Sequence, residues 1–265
     1  MSDLRALVER ISSEVAQELR KRFLTKGVDE VIGYHGSDVT RRIDKLSEDL
    51  IINSFREKGL RPTFVTEESG VLKDGNDLVV LVDPLDGSSN FVNGVPWSSV
   101  SIAVYESENR GLLESIAGAV VNIFTGEVYS YDETNAYYNR APYKLPEKSK
   151  NVILFYYNRA VAGVIPRLAN NLDRDYKFRS YGSASLDMIL VCTGRATLYA
   201  DLRGKLRNVD IAASSNFCSR LGLKPVDSKK EPINYVKIDK VTEVREVIVS
   251  FYPELLRVLE SALMA

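Results

Sequence analysis

A continuous apolar run that ends in two aspartates is the feature that most limits how this chain can fold. Residues 78–82 (LVVLV) are rich in β-branched side chains, which predicts a strand buried on both faces. Pro84 is expected to end the hydrogen-bond ladder of this strand one residue after Asp83. Asp83 and Asp86 are therefore expected at the carboxyl edge of a sheet, where open α/β sheets bind ligands.

Small residues follow the second aspartate. Gly87, Ser88 and Ser89 can present backbone N–H groups to an anion, and Asp83 and Asp86 offer carboxylates to a hard cation. The segment thus predicts a site for a divalent metal and a phosphate. Asp-Pro and Asp-Gly are also ordinary turn dipeptides, so a plain strand-to-turn connection is the alternative interpretation.

Acidic residues elsewhere in the chain favour the metal interpretation. Glu67 follows a short β-prone segment and is the next candidate ligand. Asp210 lies in a helical stretch that begins at Asn208, where an acid that merely starts a helix is the alternative. Asp38 and Thr40 precede an amphipathic helix, where N-cap residues are again the alternative interpretation.

In this order the segments resemble the inositol monophosphatase family, and more closely its archaeal branch that hydrolyses both inositol monophosphate and fructose 1,6-bisphosphate. Residues 83–91 (DPLDGSSNF) are similar to the first signature of the family. Residues 208–213 (NVDIAA) are similar to its second signature, and residues 179–187 (RSYGSASLD) fit the segment between the two.

The chain departs from the family pattern at a few positions. Ser88 stands where threonine is commoner and keeps the hydroxyl group. Val209 stands where many members have tryptophan, and Ser214 where glycine is frequent. Asn139-Arg140 replaces the usual Asn-Gly turn. These changes affect packing or turn geometry and leave the acidic residues in place.

The resemblance implies a layered αβαβα sandwich, which combines α+β and α/β structure. Composition allows this fold, because 265 residues with 45% hydrophobic side chains can bury a sizeable core. We expect one compact unit of two halves. An α+β half over residues 1–145 carries the metal-binding signature, and an α/β half over residues 146–265 completes the active site between them.

Hydrophobic periodicity predicts the elements of both halves. Helices are expected at 3–24, 40–58, near 160–171, from 183, from 208 and at the end of 244–264. Strands are expected near 63–66, 77–82, 98–106, 114–124, 127–132, 151–157, 196–201 and at the start of 244–264. Thr125-Gly126 is expected to form a hairpin turn.

The resemblance also implies a site for two to three Mg²⁺ ions, and Mg²⁺ prefers oxygen ligands. Asp83 would bridge two of these ions, about 4 Å apart. The segment over residues 33–40 is similar to the mobile catalytic loop of the family and would carry a third, weaker ion. The implied ligands are Glu67, Asp83, the Leu85 carbonyl, Asp86 and Asp210.

The same resemblance implies catalytic roles in which water is the nucleophile. Glu67 and Ser88 would orient and deprotonate this water, and Asp44 would be hydrogen-bonded to Ser88. The backbone of Gly87, Ser88 and Ser89 would bind the substrate phosphate.

Substrate specificity is expected around residues 201–207 (DLRGKLR). The resemblance favours Asp201 on substrate hydroxyls and Arg203 or Arg207 near a second phosphate, for which a guanidinium is the natural partner. An exposed charged loop is the alternative interpretation of this segment. The implied residues beside the substrate ring are Gly182, Ser183 and Ala184.

The implied activity is magnesium-dependent hydrolysis of inositol monophosphate, fructose 1,6-bisphosphate or both by metal-activated water. The same architecture serves 3′(2′),5′-bisphosphate nucleotidases, so a nucleotide substrate is one rival. A non-catalytic protein that binds a phosphate ligand through a metal is the other. Such a protein would be expected to lack a metal ligand, and none is missing from this sequence.

The presence of a single histidine excludes several other hydrolase mechanisms. It excludes multi-histidine zinc sites and leaves any Ser-His-Asp scheme dependent on His35, which is predicted as a solvated loop residue. A hydrolase without a histidine base activates water with metal and carboxylates.

Charge and N-terminal composition bear on partners and location. The net charge of −1 provides no basic field for nucleic acid. Residues 1–24 carry charges throughout and predict an amphipathic helix, typical of neither a signal peptide nor a membrane span. Cys192 and Cys218 are predicted as buried free thiols in a reducing compartment. We expect a cytoplasmic homodimer that binds a small phosphorylated polyol or sugar, with no nucleic acid or membrane partner.

Overall fold

Helices and strands are distributed along residues 4–35, 38–75 and 78–264, the part of the chain that this computed structural model describes. The helices are α1 (Leu4–Arg22), α2 (Arg42–Glu57), α3 (Ser88–Val92), α4 (Val164–Asn170), α5 (Ala184–Cys192), α6 (Asn208–Arg220) and α7 (Pro253–Met264). Within these described ranges, no helix is both long enough and apolar enough to cross a bilayer.

Sixteen strands in the described residues form two main sheets and two small ones. They are β1 (Val31–His35), β2 (Asp38–Arg41), β3 (Thr63–Thr66), β4 (Gly70–Lys73), β5 (Val79–Asp86), β6 (Ser99–Tyr105), β7 (Ala117–Asn122), β8 (Val128–Tyr131), β9 (Ala136–Tyr138), β10 (Ala141–Tyr143), β11 (Val152–Tyr156), β12 (Lys177–Arg179), β13 (Leu198–Asp201), β14 (Leu206–Arg207), β15 (Glu243–Val244) and β16 (Val247–Ser250).

The elements stack in five layers. The large sheet has the strand order β10-β9-β8-β7-β6-β5-β3-β4, and the small one has the order β12-β11-β13-β16. Helices α1 and α2 cover the outer face of the large sheet, α5 and α6 lie between the two sheets, and α4 and α7 cover the outer face of the small sheet. The predicted αβαβα sandwich is confirmed.

Strand β5 lies inside the large sheet, and the first signature begins at the carboxyl-terminal end of this strand. All eight of its residues are buried, and it runs parallel to β3 and antiparallel to β6. Because parallel neighbours end at the same edge, Glu67 follows β3 beside Asp83, and the Glu67 N–H donates to the Val82 carbonyl at 3.3 Å.

Pro84 interrupts this strand without ending it. Asp83 pairs with Ser101 and Asp86 pairs with Ser99, with a register irregularity between the two pairs. The prediction that Pro84 ends the ladder is therefore wrong, because pairing resumes at Asp86. The missing N–H of proline is accommodated by the bulge.

The segment before α2 differs from the sequence prediction. Asp38 and Thr40 lie in β2, which pairs with β1 in a hairpin, and Arg41 takes the N-cap position of α2. His35 lies in β1 and not in a loop. Residues 36 and 37 of the predicted catalytic loop lie outside the described residues. Local pattern could not reveal these strands, because each is short and the pairing depends on the hairpin itself.

The hairpin of β9 and β10 uses an unusual turn. Asn139 and Arg140 both have positive φ angles, of 48° and 71°. This is the position where the sequence has Asn-Arg in place of Asn-Gly, so the arginine adopts the left-handed conformation that glycine adopts at no steric cost.

Cys192 and Cys218 form a disulfide, and the prediction of two free thiols is wrong. Their Cα atoms are 5.3 Å apart, within the normal range for a disulfide, and both residues are fully buried. The bond joins the last residue of α5 to the last turns of α6. The sequence could not show this pairing, because it depends on how the two helices pack. The cysteines therefore give no support for a reducing compartment.

The cross-link is expected to stabilise the fold. Replacing both cysteines by alanine should lower the free energy of unfolding by about 3 kcal/mol, because the disulfide closes a loop of 26 residues in the unfolded chain. Guanidinium titration of the variant and of reduced wild type, each against oxidised wild type, measures the effect and separates the cross-link from the lost sulfur packing. Identical midpoints for all three proteins would contradict it.

Candidate active site

Three carboxylates from different elements converge at the edge of the large sheet. Oxygens of Glu67, Asp83 and Asp210 all lie within 4.8 Å of one another. Glu67 follows β3, Asp83 lies in the neighbouring β5, and Asp210 lies in the first turn of α6. The fold therefore brings together three acids that are far apart in sequence, as the resemblance implies.

Asp83 is the most enclosed of the three. Its Oδ1 accepts a hydrogen bond from the Leu85 N–H at 3.1 Å. Burial raises the pKa of this carboxyl well above its usual value, and the charges of Glu67, Asp86 and Asp210 raise it further. A neighbouring cation would therefore stabilise the ionised form.

Asp86 connects the two halves of the molecule. Its carboxylate accepts hydrogen bonds from the Ser99 and Ser183 hydroxyls and from the N–H groups of Ala184 and Ser185, both at 2.9 Å. Burial raises the pKa of Asp86 to about 6, and these hydrogen bonds act in the opposite direction. Asp86 thus caps α5, and it is not one of the three clustered carboxylates found among the described residues. Its role as a metal ligand stays a prediction.

Asp210 combines a helix-start role with a place in the cluster. Its Oδ2 accepts a hydrogen bond from the Arg207 N–H at 2.8 Å. Among the described residues its Oδ1 has no hydrogen-bond partner, and the Arg207 Nε lies 3.4 Å away. Burial raises the pKa of Asp210 to about 7, although the charge of Arg207 lowers it. Both interpretations of Asp210 from the sequence are thus compatible with the geometry.

Asp44 is not bonded to Ser88 as the resemblance implies. Its Oδ2 accepts a hydrogen bond from the Arg41 N–H at 3.1 Å, and in the described part of the chain its Oδ1 has no hydrogen-bond partner. Asp44 therefore serves the start of α2. Burial raises its pKa to about 8, helped by the charges of Glu68 and Glu67.

Two further residues of α2, which sequence reasoning missed, hold the backbone of the segments that carry Asp83 and Glu67. The Ser47 hydroxyl donates to the Pro84 carbonyl at 2.6 Å, directly beside Asp83. Glu48 accepts a hydrogen bond from the Ser69 N–H at 3.1 Å, in the turn after Glu67. The signal available in the sequence is that both polar residues fall on the buried face of an amphipathic helix.

A cavity of about 200 Å³ lies over the cluster. Twelve of the predicted residues line it: Glu67, Asp83, Leu85, Asp86, Gly87, Ser88, Ser89, Gly182, Ala184, Arg203, Arg207 and Asp210. The predicted residues Asp44, Ser183 and Asp201 are buried and do not line it. The structure adds three lining residues that sequence reasoning missed, namely Tyr156, Tyr199 and Leu206.

Arg203 is held at the cavity wall by a buried partner. Its Nε donates to Asp201 Oδ1 at 3.0 Å, and its Nη2 pairs with Asp201 Oδ2. The guanidinium also lies 4.6 Å from the centre of the Tyr156 ring. Asp201 is 1% exposed, so it orients Arg203 from behind.

The segment around Gly182 is held by a side chain from the first half of the chain. Asn90 Nδ2 donates to the Tyr181 carbonyl at 2.6 Å and to the Trp97 carbonyl at 2.8 Å. Gly182 has a φ of 95°, and a Cβ atom there would approach Asn90 to 2.8 Å. Only glycine fits this position, which explains one residue of the RSYGSASLD segment.

The donor set fits a hard divalent cation. The cluster offers only carboxylate oxygens, which magnesium-class ions prefer. Asp210 Oδ1 has no hydrogen bond within the described residues, and the pKa values of Asp83 and Asp210 are raised by burial and by like charges. A bound cation would relieve both effects.

Comparison with known proteins agrees with this geometry. The sequence profile of the inositol monophosphatase family matches residues 1–258. An inositol-1-monophosphatase from Aeropyrum pernix is 30% identical, covering 96% of this chain and 95% of that protein. A fructose-1,6-bisphosphatase/inositol-1-monophosphatase from Archaeoglobus fulgidus is also 30% identical, covering 95% and 97%. A solved structure of an inositol monophosphatase–fructose 1,6-bisphosphatase aligns with a TM-score of 0.85 at 27% identity, covering 99% of this chain and all of that one.

The raised pKa values predict that the protein in chelator loses stability as pH rises. Asp44 and Asp210 have folded-state pKa values of about 8 and about 7, above the usual value of 3.8. The folded state therefore binds more protons than the unfolded state, and stability falls from about pH 4 to about pH 8. Denaturant titrations in EDTA at pH 5 and pH 8 measure this difference. Asp44→Asn should reduce it, and equal stability at both pH values would contradict the prediction.

Proposed function

Because the chain belongs to the inositol monophosphatase family, we propose that it is a Mg²⁺-dependent phosphatase of small phosphorylated polyols and sugars, acting on inositol monophosphate and fructose 1,6-bisphosphate. One observation carries the proposal. Carboxylate oxygens of Glu67, Asp83 and Asp210 lie within 4.8 Å of one another, beside the Gly87–Ser88 backbone and in a single cavity.

Glu67, Asp83 and Asp210 would hold the metal, with Asp86 and the Leu85 carbonyl at the same cavity wall. Bound Mg²⁺, which we expect at two to three ions per site, supplies Lewis acidity to the phosphoryl group and lowers the pKa of water. The protein contributes the fixed positions of these oxygens. Ser47 and Glu48 maintain them by holding the backbone of both ligand segments.

The backbone after Asp86 would receive the reacting phosphate. Gly87 has a φ of 82° and precedes α3, so Ser88 and Ser89 begin a helical turn whose first N–H groups have no acceptor within the helix. Gly87, Ser88 and Ser89 all line the cavity. Their N–H groups would donate to the phosphate oxygens and orient the phosphorus toward the carboxylate cluster.

Glu67 and Ser88 would orient the attacking water, and Glu67 would accept its proton. Both residues line the cavity, and the Glu67 side chain is 21% exposed, more than the other two clustered acids. Asp44 is assigned a supporting role only, because its Oδ2 is engaged at the start of α2.

Arg203 is the residue that we assign to the second phosphate of a bisphosphate. Asp201 engages its Nε and Nη2, which leaves the Nη1 donors for a ligand as far as the described residues go. Arg207 is engaged by Glu67 and is therefore a weaker candidate. Asp201 would act through Arg203, and Gly182 and Ala184 would contact the ring.

The size of the cavity favours a small ligand. A volume of about 200 Å³ is below the range of roughly 300–1,000 Å³ that drug-sized ligands occupy. This favours a polyol or sugar phosphate over a nucleotide bisphosphate.

Measuring phosphate release from inositol 1-phosphate, fructose 1,6-bisphosphate and adenosine 3′,5′-bisphosphate distinguishes these substrate classes. No release from any of the three would favour the non-catalytic alternative. A homodimer, a cytoplasmic location and the lack of a nucleic-acid partner stay predictions.

Activity is expected to require the metal site. Excess EDTA should abolish phosphate release, and Asp83→Asn should lower kcat/KM by about a thousandfold or more, because no other side chain replaces the Lewis acid.

The neutral amide of Asp83→Asn should also make the metal-free protein more stable, whereas Glu67→Gln should not, since it breaks the ion pair with Arg207. Asp74→Asn, which alters a remote ion pair with Arg56, is the matched control. Near-normal turnover by Asp83→Asn would place the metal site elsewhere.

Arg203 is expected to discriminate between substrates. Arg203→Ala should lower kcat/KM for fructose 1,6-bisphosphate about ten- to a hundredfold, because it deletes a charge-assisted contact that only a bisphosphate makes. The value for inositol 1-phosphate should barely change. Asp201→Asn should show the same pattern in milder form, since Asp201 orients Arg203. An equal loss on both substrates would instead assign these residues to folding or to the reacting phosphate.

A further inference from the structure

Arg207 places a positive charge inside the acidic cluster. Its Nη2 pairs with Glu67, and its Nε lies 3.4 Å from Asp210 Oδ1. Glu67 and Asp210 are two of the three acids whose oxygens lie within 4.8 Å of one another. The guanidinium therefore bridges two of the carboxylates that would hold the metal.

The backbone of Arg207 is fixed independently of its side chain. Arg207 ends β14, which pairs with β15, and its N–H donates to Asp210 Oδ2 at 2.8 Å. The N–H contact maintains the start of α6. The guanidinium can therefore leave the cluster without loss of the backbone geometry that positions Asp210.

Another arginine of the same cavity differs in its partner. Arg203 pairs with Asp201, which is not part of the cluster, and it lies over the Tyr156 ring. The two arginines carry the same charge and line the same cavity, but only Arg207 contacts the clustered acids in the described structure. Substitution of Arg203 is thus a matched control for substitution of Arg207.

A divalent cation and the Arg207 guanidinium would compete for the same oxygens. Three carboxylates this close repel one another unless a positive charge lies among them. The guanidinium supplies one such charge and Mg²⁺ supplies two. An ion bound by Glu67 would need a lone pair that Arg207 Nη2 now engages, and an ion between Glu67 and Asp210 would repel the guanidinium, whose Nε lies 3.4 Å from Asp210 Oδ1.

We propose that Arg207 is a resident counter-ion of the metal site, which holds Glu67 and Asp210 together in the metal-free protein and is displaced from Glu67 by the metal. The inference rests on the proposed metal-dependent function. It follows that the stabilisation that Arg207 gives to the metal-free protein is subtracted from the free energy of metal binding.

Mn²⁺ binding to the chelator-treated full chain tests the proposal, with free Mn²⁺ measured by its electron paramagnetic resonance signal. Arg207→Met keeps the aliphatic stem and should bind Mn²⁺ about tenfold tighter than wild type, which is about 1.4 kcal/mol. Arg203→Met should bind it within about threefold of wild type. Arg207→Met should also lower Tm in chelator, and much less at saturating Mn²⁺.

Three results would overturn the proposal. The first is Mn²⁺ binding by Arg207→Met that is unchanged or weaker. The second is equal tightening by Arg203→Met, which would indicate a general charge effect. The third is the same fall in Tm with and without Mn²⁺, because the ion pair would then persist in the loaded protein. Failure of the proposed function looks different, since wild type and Asp83→Asn would then bind Mn²⁺ equally.

Discussion

Mutual repulsion among buried carboxylates is the constraint on which the rest of this structure depends. The fold anchors one oxygen of each of two acids with a donor from its own segment: the Leu85 N–H for Asp83 and the Arg207 N–H for Asp210. These hydrogen bonds fix the direction of the two carboxyl groups, while oxygens of all three clustered acids lie close together. The like charges of these acids therefore repel one another before any ligand is bound, and this repulsion would favour binding of the proposed metal ion.

The layered architecture explains how such a site can be built from distant segments. The parallel pair β3 and β5 ends at one edge, and the inner helices α5 and α6 begin at that same place. Asp86 meets the first turn of α5, and Asp210 belongs to the first turn of α6. Helix N-termini favour negative charge, so both helices support the carboxylates that lie at their ends.

The sequence predicts most of the residues of the candidate site but few of the contacts that hold those residues in place. Asp83, Asp86 and the following glycine and serines lie within one segment, so their chemistry is visible without knowledge of the fold. Ser47 and Glu48 are polar residues on a buried helix face, which indicates that partners exist but not which residues they are. The Arg207–Glu67 pair and the Cys192–Cys218 bond are tertiary contacts between distant segments. No local periodicity or spacing encodes such contacts.

The disulfide has a further consequence for the motion of the inner layer. It joins α5 and α6 near their C-terminal ends, whereas the opposite ends of both helices meet the acidic residues. Separation of the helices at one end is thereby limited by a covalent bond at the other. The pair should open as one cooperative unit in native-state fluctuations, not as two independent helices. The distance between the Asp86 and Asp210 segments then varies only as far as that unit bends.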